Sequence, residues 1–264
     1  MLAEARRQFL IEYAAVRHAE GRGAEDPAWY LALPFRDLTG ALTGQWRIRA
    51  QSWQYLERRL LPALVRRIGR GLRVLDLGAG NCWMSWRLAQ LGHLPIALDI
   101  FSDLRDGLRA SRHYTAQIAF PVIEAEFDSI PLANGAADLA IFNASFHYSA
   151  DYSRTLAEVL RVLQPGGAVV IMDSPVYQHP EHGLRMVAER RRQYWQRFGF
   201  ASDAHKGVEF LDCATLADLA RRFRLRWTAH RPWYGWRWHA RPAIAWLKGK
   251  RPPSRFQLLV GERQ

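Results

Sequence analysis

Asp76, Gly78 and Gly80 stand at a spacing, D-x-G-x-G, that suits the binding of a nucleotide-like ligand. A short apolar run precedes them and predicts a buried strand that ends at the first of the two glycines. Glycines in such a turn allow positive φ and let a ligand approach the backbone closely. A helical pattern follows from residue 81 to 91, and the free N–H groups at a helix N-terminus attract negative charge. Strand, turn and helix together predict the first half of a nucleotide-type α/β site.

A second carboxylate, Asp99, lies 23 residues after Asp76, at the end of the next predicted strand, residues 94–100. A carboxylate there can accept hydrogen bonds from two vicinal hydroxyls of a ribose. The alternative is an ordinary surface acid at a strand end. The glycine turn upstream favours the ribose role.

His147 and Tyr148 are the candidates for catalysis, because they follow the fourth predicted strand, residues 137–142. In an open α/β sheet, the loop after such a strand lies beside the ligand crevice. Histidine titrates near neutrality and can act as a general base, and Tyr148 could orient a substrate. A hydrogen-bonded structural histidine is the open alternative.

The surrounding chain must position these side chains, and its strand and helix patterns alternate as in a doubly wound α/β sheet. Ahead of this core, residues 1–70 predict helices, including one long helix over residues 45–68. This segment is interpreted either as a cap over the ligand end of the sheet or as a packing extension without site residues. Further strands are predicted over residues 119–124, 168–173, 225–230 and 256–261.

On these residues the chain resembles the class I S-adenosylmethionine-dependent methyltransferases of the small-molecule type. Their first motif, D-x-G-x-G-x-G, is matched by Asp76, Gly78 and Gly80, and Cys82 departs from it. A second match is the L-x-P-G-G turn within residues 160–167, which falls between a predicted helix and the fifth strand. The resemblance covers about residues 71–230, with a plausible last strand beyond.

The resemblance implies a Rossmann-like doubly wound sheet, mostly parallel with an antiparallel last strand, and an N-terminal helical cap. It also implies S-adenosyl-L-methionine as cofactor and S-adenosyl-L-homocysteine as product. Glu126 falls on the adenine-amine acceptor, Phe127 on the residue whose backbone N–H meets the ring, and Asp128 is an adjacent alternative. The implied cofactor residues are Asp76, Gly78, Ala79, Gly80, Asp99, Ile100, Glu126, Phe127, Asp128 and Asn143.

The implied reaction is methyl transfer, in which the protein holds a nucleophile in line with an activated methyl group and excludes water. Residues 143–146 read NASF, unlike the N/D-P-P-Y/F loop of enzymes that methylate amines of nucleic-acid bases. A small-molecule or lipid-like acceptor is therefore expected, with oxygen ahead of nitrogen or carbon. Two alternatives stay open: a non-methylating enzyme that uses the same cofactor, and an RNA- or membrane-binding protein that retains the pocket.

The charge of the chain is concentrated near its end. The formal net charge is +12, and residues 221–264 hold twelve Lys/Arg and one acid, so +11 of it lies there. Residues 231–255 interleave tryptophans with cationic side chains. The first interpretation is an insertion whose tryptophans pack on the sheet, the second is peripheral contact with an anionic membrane, and the third is RNA. The oligomeric state is not predicted.

Two cysteines without C-x-x-C spacing predict neither a disulfide framework nor a cysteine-based zinc site, and they suit a reducing, cytoplasmic compartment. The first residues read as an amphipathic helix rather than a signal peptide, and no apolar run is long enough to span a bilayer. His179 and His182 have ligand spacing but no third partner, so no metal site is expected. Arg47 and Arg49 could pair with the methionine carboxylate, or lie on a solvated helix face.

Overall fold

A seven-stranded sheet, in the order β3-β2-β1-β4-β5-β9-β8, forms the centre of the molecule. The computed structural model describes residues 3–114, 116–204 and 207–264. A separate two-stranded sheet pairs β6 with β7. The strands are β1 (Arg73–Leu77), β2 (Leu94–Asp99), β3 (Val122–Glu124), β4 (Ala137–Asn143), β5 (Leu163–Met172), β6 (Val176–Tyr177), β7 (Leu211–Asp212), β8 (Leu225–His230) and β9 (Leu258–Arg263).

The five strands from β3 to β5 are parallel, and β9 runs antiparallel to both of its neighbours, β5 and β8. This arrangement confirms the predicted mostly parallel, doubly wound sheet. Asp76 on β1 pairs with Ala97 on β2 and with Ile141 on β4. The chain order reverses between β1 and β4, and ligands of open α/β sheets bind in the crevice at this point.

Helices cover both faces of the sheet. The predicted long helix over residues 45–68 is two helices joined by one π-helical stretch, Leu56–Leu60. Short 3₁₀ turns cover Leu108–His113 and Phe146–Tyr148. The α-helices are α1 (Ala3–Ala19), α2 (Pro27–Ala32), α3 (Thr43–Tyr55), α4 (Leu61–Ile68), α5 (Trp83–Gln90), α6 (Tyr152–Val162), α7 (Pro180–Phe198), α8 (Cys213–Phe223), α9 (Trp236–His239) and α10 (Arg241–Leu247).

The two faces of the sheet bury separate apolar clusters, because successive side chains of a strand point to opposite faces. Val74 of β1 belongs to the cluster that contains Trp46 and Trp53 of α3. Leu75, the next residue, belongs to the other cluster, with Leu156 of α6. Helices α2, α3 and α4 therefore pack on the same face as α5, and α3 is held against the sheet by two buried tryptophans.

Several strand ends differ from the predicted ones. β3 is shorter than the predicted 119–124, and β5 begins earlier than residue 168 because Leu163 already pairs with Ala137 before a register shift. The last strand begins at Leu258 rather than at residue 256, because Phe256 packs on Trp238, with ring centroids 5.0 Å apart. Within the described residues, every helix is too short or too polar to cross a membrane.

Candidate functional site

An open cavity lies at the carboxyl ends of β1, β2 and β4, and residues of α1 and α3 form its opposite wall. Its empty volume is about 1260 Å³, with open solvent at the mouth included. A cavity of this kind is typical of small-molecule binding sites. All of the expected cofactor residues line the cavity: Asp76, Gly78, Ala79, Gly80, Asp99, Ile100, Glu126, Phe127, Asp128 and Asn143.

The glycine turn at the end of β1 is packed against the loop after β4. Gly78 has φ +73°, and a Cβ on this residue would lie 2.3 Å from Cβ of Ser145. The Ser145 hydroxyl donates a hydrogen bond of 2.5 Å to the carbonyl of Leu77. The N–H groups of Gly78 and Ala79 donate to the Leu98 carbonyl at 2.7 and 3.1 Å. Only glycine fits this position, so the turn can form a close wall for a ligand.

Cys82 occupies the position where the motif has its third glycine, and it also adopts left-handed φ, +64°. Its side chain is buried, and the thiol points to the carbonyls of Gly80 and Leu108 at 3.6 and 3.9 Å. Burial raises the pKa of this thiol. Cys82 does not line the cavity, so its side chain leaves the cavity open.

Asp76 carries a buried acceptor atom that faces the cavity. Its Oδ2 accepts a hydrogen bond of 2.6 Å from the Ser85 hydroxyl, whereas Oδ1 has no hydrogen-bond partner among the described residues. Burial raises the pKa of Asp76 to about 7. A buried carboxylate with one free oxygen is suited to a ligand that brings a cationic or hydrogen-bond-donating group.

Asp99, the predicted ribose acid, lies across the turn from Asp76. Its Oδ2 accepts the Gly80 N–H at 2.8 Å, and its Oδ1 accepts the Phe101 N–H at 2.9 Å. Burial raises the pKa of Asp99 above its ordinary value. A carboxylate has about four lone-pair sites, so two remain for hydroxyl groups of a ligand.

The loop after β3 forms the side of the cavity that is expected to hold the adenine. Phe127 packs edge-on against Phe142, with ring centroids 5.3 Å apart. Asp128 forms an ion pair with Arg154, with 3.1 Å between Oδ2 and Nε. Glu126 and Ile100 also line this side.

The two catalytic candidates both lie in the 3₁₀ turn after β4, but their side chains have different surroundings. Tyr148 lines the cavity, and its ring meets Tyr13 of α1 edge-on at 5.9 Å. His147 does not line the cavity. It is buried, its Nδ1 lies 3.2 Å from the Ser174 hydroxyl, and its ring lies 4.4 Å from the Tyr148 ring. This placement favours the structural alternative for His147.

The N-terminal helices supply cavity residues that the motifs do not reveal. Phe9, Tyr13 and Arg17 line the cavity from α1. Their spacing of four residues puts them on one helix face, which is the signal that could have identified them. Arg17 forms an ion pair with Asp106, which is also in the cavity wall.

Arg49 of α3 lies in the cavity wall with its guanidinium 5.0 Å from the centre of the Trp46 ring. No carboxylate of the described ranges forms an ion pair with it, and burial followed by the charge of Arg22 lowers its pKa to about 10. Arg47 is exposed on the same helix. Of the two arginines considered from the sequence, only Arg49 is placed to meet an anionic group of a ligand.

The raised pKa of Asp76 predicts a pH dependence of stability. The folded state keeps the proton up to about pH 7, and the unfolded chain releases it near its ordinary pKa of 3.8. The contribution of Asp76 to the free energy of unfolding therefore falls as the pH rises from 3.8 to about 7, and it is constant above about pH 7. We expect Asp76→Asn to raise the free energy of unfolding by on the order of 1–2 kcal/mol at about pH 8.

Urea denaturation of both proteins at several pH values checks this prediction. The gain should shrink as the pH falls below about 7 and vanish below the ordinary pKa of 3.8, where the wild-type carboxyl is protonated in both states. Asp203→Asn, which removes a carboxylate at an exposed position, is the control. A gain that stays constant from acid to alkaline pH would contradict the assignment of a raised pKa to Asp76.

Comparison with known proteins relates the part of the chain that lines this cavity to methyltransferases. Residues 75–171 match the model of a family described as a methyltransferase domain. An uncharacterised methyltransferase of Mycobacterium tuberculosis is 36% identical over 108 residues, which cover 41% of this chain and 40% of that protein. A malonyl-(acyl-carrier protein) O-methyltransferase of Pseudescherichia vulneris is 28% identical over 177 residues, which cover 65% of this chain and 62% of that protein.

A solved structure shows the same fold over almost the whole chain. It is the Burkholderia thailandensis 1,6-didemethyltoxoflavin-N1-methyltransferase with bound 1,6-didemethyltoxoflavin and S-adenosylhomocysteine. The superposition covers 96% of this chain and 89% of that chain, with a TM-score of 0.51 and 16% identity. The chain spans about two fifths of the length of the mycobacterial relative. These findings identify a methyltransferase domain at residues 75–171, in a chain with the fold of S-adenosylmethionine-dependent methyltransferases.

Proposed function

We propose that this protein transfers the methyl group of S-adenosylmethionine to a small-molecule or lipid-like acceptor, with oxygen ahead of nitrogen or carbon as the receiving atom. The observation that carries the proposal is the convergence of every expected cofactor residue on one cavity wall. These residues come from four separate loops, and packing against Ser145 holds the glycine turn in place. The opposite wall, from α1 and α3, leaves a side of the cavity for the acceptor.

The residues present fit the cofactor. Asp99 has lone pairs left for the two ribose hydroxyls, and Glu126 with the Phe127 backbone N–H suits the adenine. The unpartnered Oδ1 of Asp76 suits the cationic end of the molecule, and Arg49 suits its carboxylate. When bound, the cofactor supplies a methyl group that is already activated by its sulfonium.

The protein's own contribution is to position the acceptor and to exclude water. Tyr13, Trp46 and Tyr148 give the wall opposite the glycine turn an aromatic surface. We assign the orientation of the acceptor to Tyr148, whose hydroxyl group can donate or accept a hydrogen bond. His147 contacts Tyr148 and Ser174 behind this wall, and we assign it a positioning role.

The acceptor class is argued from the loop after β4. Asn143 lines the cavity, and its Oδ1 has no hydrogen-bond partner in the part of the chain that the structure describes. The loop lacks the prolines of the N/D-P-P-Y/F sequence that is typical of enzymes acting on the amines of nucleic-acid bases. The name of one relative denotes transfer to an oxygen atom, which supports an oxygen acceptor.

The reaction is tested with S-adenosylmethionine labelled in its methyl group and a panel of phenols, carboxylic acids and amines. We expect S-adenosylhomocysteine to form only in the presence of an acceptor, with the label recovered on that acceptor. Binding of the cofactor without turnover on any acceptor would favour a non-catalytic role. Consumption of the cofactor with the label on no acceptor would favour a different reaction.

Tyr148→Phe tests the role of the tyrosine hydroxyl in that assay. We expect kcat/KM for the acceptor to fall roughly tenfold to a hundredfold, because orienting and proton-transfer groups contribute on this scale. The affinity for S-adenosylhomocysteine should be unchanged, because the cofactor residues stay intact. Tyr194→Phe, on α7 and outside this cavity, is the matched control and should keep wild-type activity. Equal losses in both variants would contradict the assignment.

A further inference from the structure

The segment from Arg231 to Arg255 forms α9, α10 and their flanking turns, and it presents large apolar side chains to solvent. Trp236 is 81% exposed, Trp246 is 79% exposed and Leu247 is 74% exposed. The first interpretation from the sequence, that the tryptophans of this segment pack on the sheet, is therefore wrong for Trp236 and Trp246. Trp238 does pack against other side chains, since its ring contacts those of Tyr234 and Phe256.

Cationic side chains alternate with these apolar residues along the segment. The segment contains seven Lys/Arg and no Asp or Glu. Arg241 and Arg251 are used internally: Arg241 lies over the Trp238 ring, and Arg251 pairs with Glu189 at 2.8 Å. Within the described ranges, no carboxylate forms an ion pair with the remaining exposed cations. They are Arg231, Arg237, Lys248, Lys250 and Arg255.

The exposed surface is held in place by buried contacts rather than hanging free. The hydroxyl of Tyr234 lies 2.8 Å from the Ser52 hydroxyl on α3, and Ser52 donates a hydrogen bond of 2.5 Å to Asp173. At the other end, Arg255 and Val176 exchange backbone hydrogen bonds of 2.9 and 3.2 Å. A surface ordered in this way loses little conformational entropy when it binds.

We propose that this segment is a docking surface for an anionic lipid bilayer, in which Trp236, Trp246 and Leu247 enter the interface and the exposed cations meet lipid headgroups. Indole rings partition to the boundary between headgroups and acyl chains, and nearby Lys and Arg are attracted to anionic lipids. The segment carries positive charge and no acidic residue, so its charge is complementary to that of an anionic bilayer surface.

The same residues fit RNA less well. Base stacking needs free ring faces, which Trp236 and Trp246 keep, whereas Trp233 is stacked on His239 at 4.4 Å and Trp238 is covered by Arg241. Leu247, together with the exposed Ile244, offers aliphatic surface that a bilayer can bury and a base cannot stack on. The inference is independent of methyl transfer, because it concerns a surface that the cavity does not include.

The test is co-sedimentation of the full chain with vesicles of phosphatidylcholine alone and of phosphatidylcholine mixed with phosphatidylserine. We expect more than about a hundredfold stronger partitioning to the anionic vesicles. Raising the salt from about 0.1 M to about 1 M shortens the screening length from about 10 Å to about 3 Å and should remove this preference. The variant W236S/W246S/L247S should lose binding by about tenfold or more.

A charge variant and its matched control distinguish the effect of cations in this segment from the effect of the net charge of the protein. R237Q/K248Q/K250Q should bind anionic vesicles roughly a hundredfold more weakly at low salt. R7Q/R58Q/R59Q removes the same charge from exposed positions outside the segment and should bind as the wild type does. Circular dichroism and thermal melting establish that each variant is folded.

Several outcomes would overturn the proposal. These are absence of sedimentation with anionic vesicles at low salt, equal loss of binding in the two charge variants, and unchanged binding of W236S/W246S/L247S. Filter binding with single-stranded RNA is run in parallel. Retention of RNA without retention by vesicles would assign the surface to nucleic acid instead. None of these results depends on cofactor turnover.

Discussion

Gly78→Ala is expected to lower the free energy of unfolding by about 3 kcal/mol and to weaken binding of S-adenosylhomocysteine. The left-handed backbone, with φ +73°, accounts for about 1 kcal/mol. The new Cβ would lie 2.3 Å from Cβ of Ser145, and relieving such an overlap costs about 1–3 kcal/mol. Because Ser145 Cβ is attached to the backbone, the turn or the loop after β4 must move. Urea denaturation and calorimetric titration measure the two effects.

Gly92→Ala is the matched control, because Gly92 has φ +79° and open space where a Cβ would lie. We expect this control to cost only about 1 kcal/mol and to leave cofactor affinity unchanged. Adding Ser145→Gly to Gly78→Ala should remove the overlap, so a double-mutant cycle should give a favourable coupling of about 2 kcal/mol. A cycle without coupling would show that the contact between these two residues does not hold the turn.

Asp99→Ala is expected to weaken the binding of S-adenosylhomocysteine by roughly a hundredfold or more. Two hydrogen bonds from the ribose hydroxyls to a carboxylate would be lost, each worth about 1.5–3 kcal/mol. Titration calorimetry of the wild type and the variant measures this loss. The variant also leaves the N–H groups of Gly80 and Phe101 without their acceptor, so its stability must be measured separately.

Asp103→Ala separates ligand recognition from loop support. Asp103 accepts the backbone N–H groups of Arg105 and Asp106 at 2.7 and 2.9 Å, and it lies outside the cavity wall. Its replacement removes two similar hydrogen bonds without removing a cavity carboxylate. We expect nearly wild-type affinity from this control. Wild-type affinity in Asp99→Ala, or an equal loss in Asp103→Ala, would contradict the ribose assignment.

The gathering of the expected cofactor residues in one cavity wall could be predicted from the sequence, because these residues sit at strand ends. A strand, a glycine turn and an acid on the next strand leave little freedom in a parallel sheet, so Asp76, Gly78 and Asp99 had to meet at one edge. The fold class followed from the same alternation. The predicted strand ends are less accurate. Phe256, for example, packs on Trp238 and lies outside β9.

The acceptor side was harder to predict. His147 and Tyr148 are neighbours in sequence, and nothing in their types reveals which one faces the ligand. The 3₁₀ turn sends Tyr148 into the cavity wall and His147 towards Ser174. Arg49 was recognised as a candidate, but its place beside Trp46 depends on how α3 packs on the sheet. The exposure of Trp236 and Trp246 depends likewise on tertiary anchoring by Tyr234 and Arg255.

A crystal structure of the protein grown with S-adenosylhomocysteine tests the central assignment most directly. We expect one bound molecule in the cavity, with its ribose hydroxyls within hydrogen-bonding distance of the Asp99 carboxylate and its adenine beside Glu126 and Phe127. Density for the ligand elsewhere on the protein, or a cavity that stays without ligand at saturating concentration, would contradict the account.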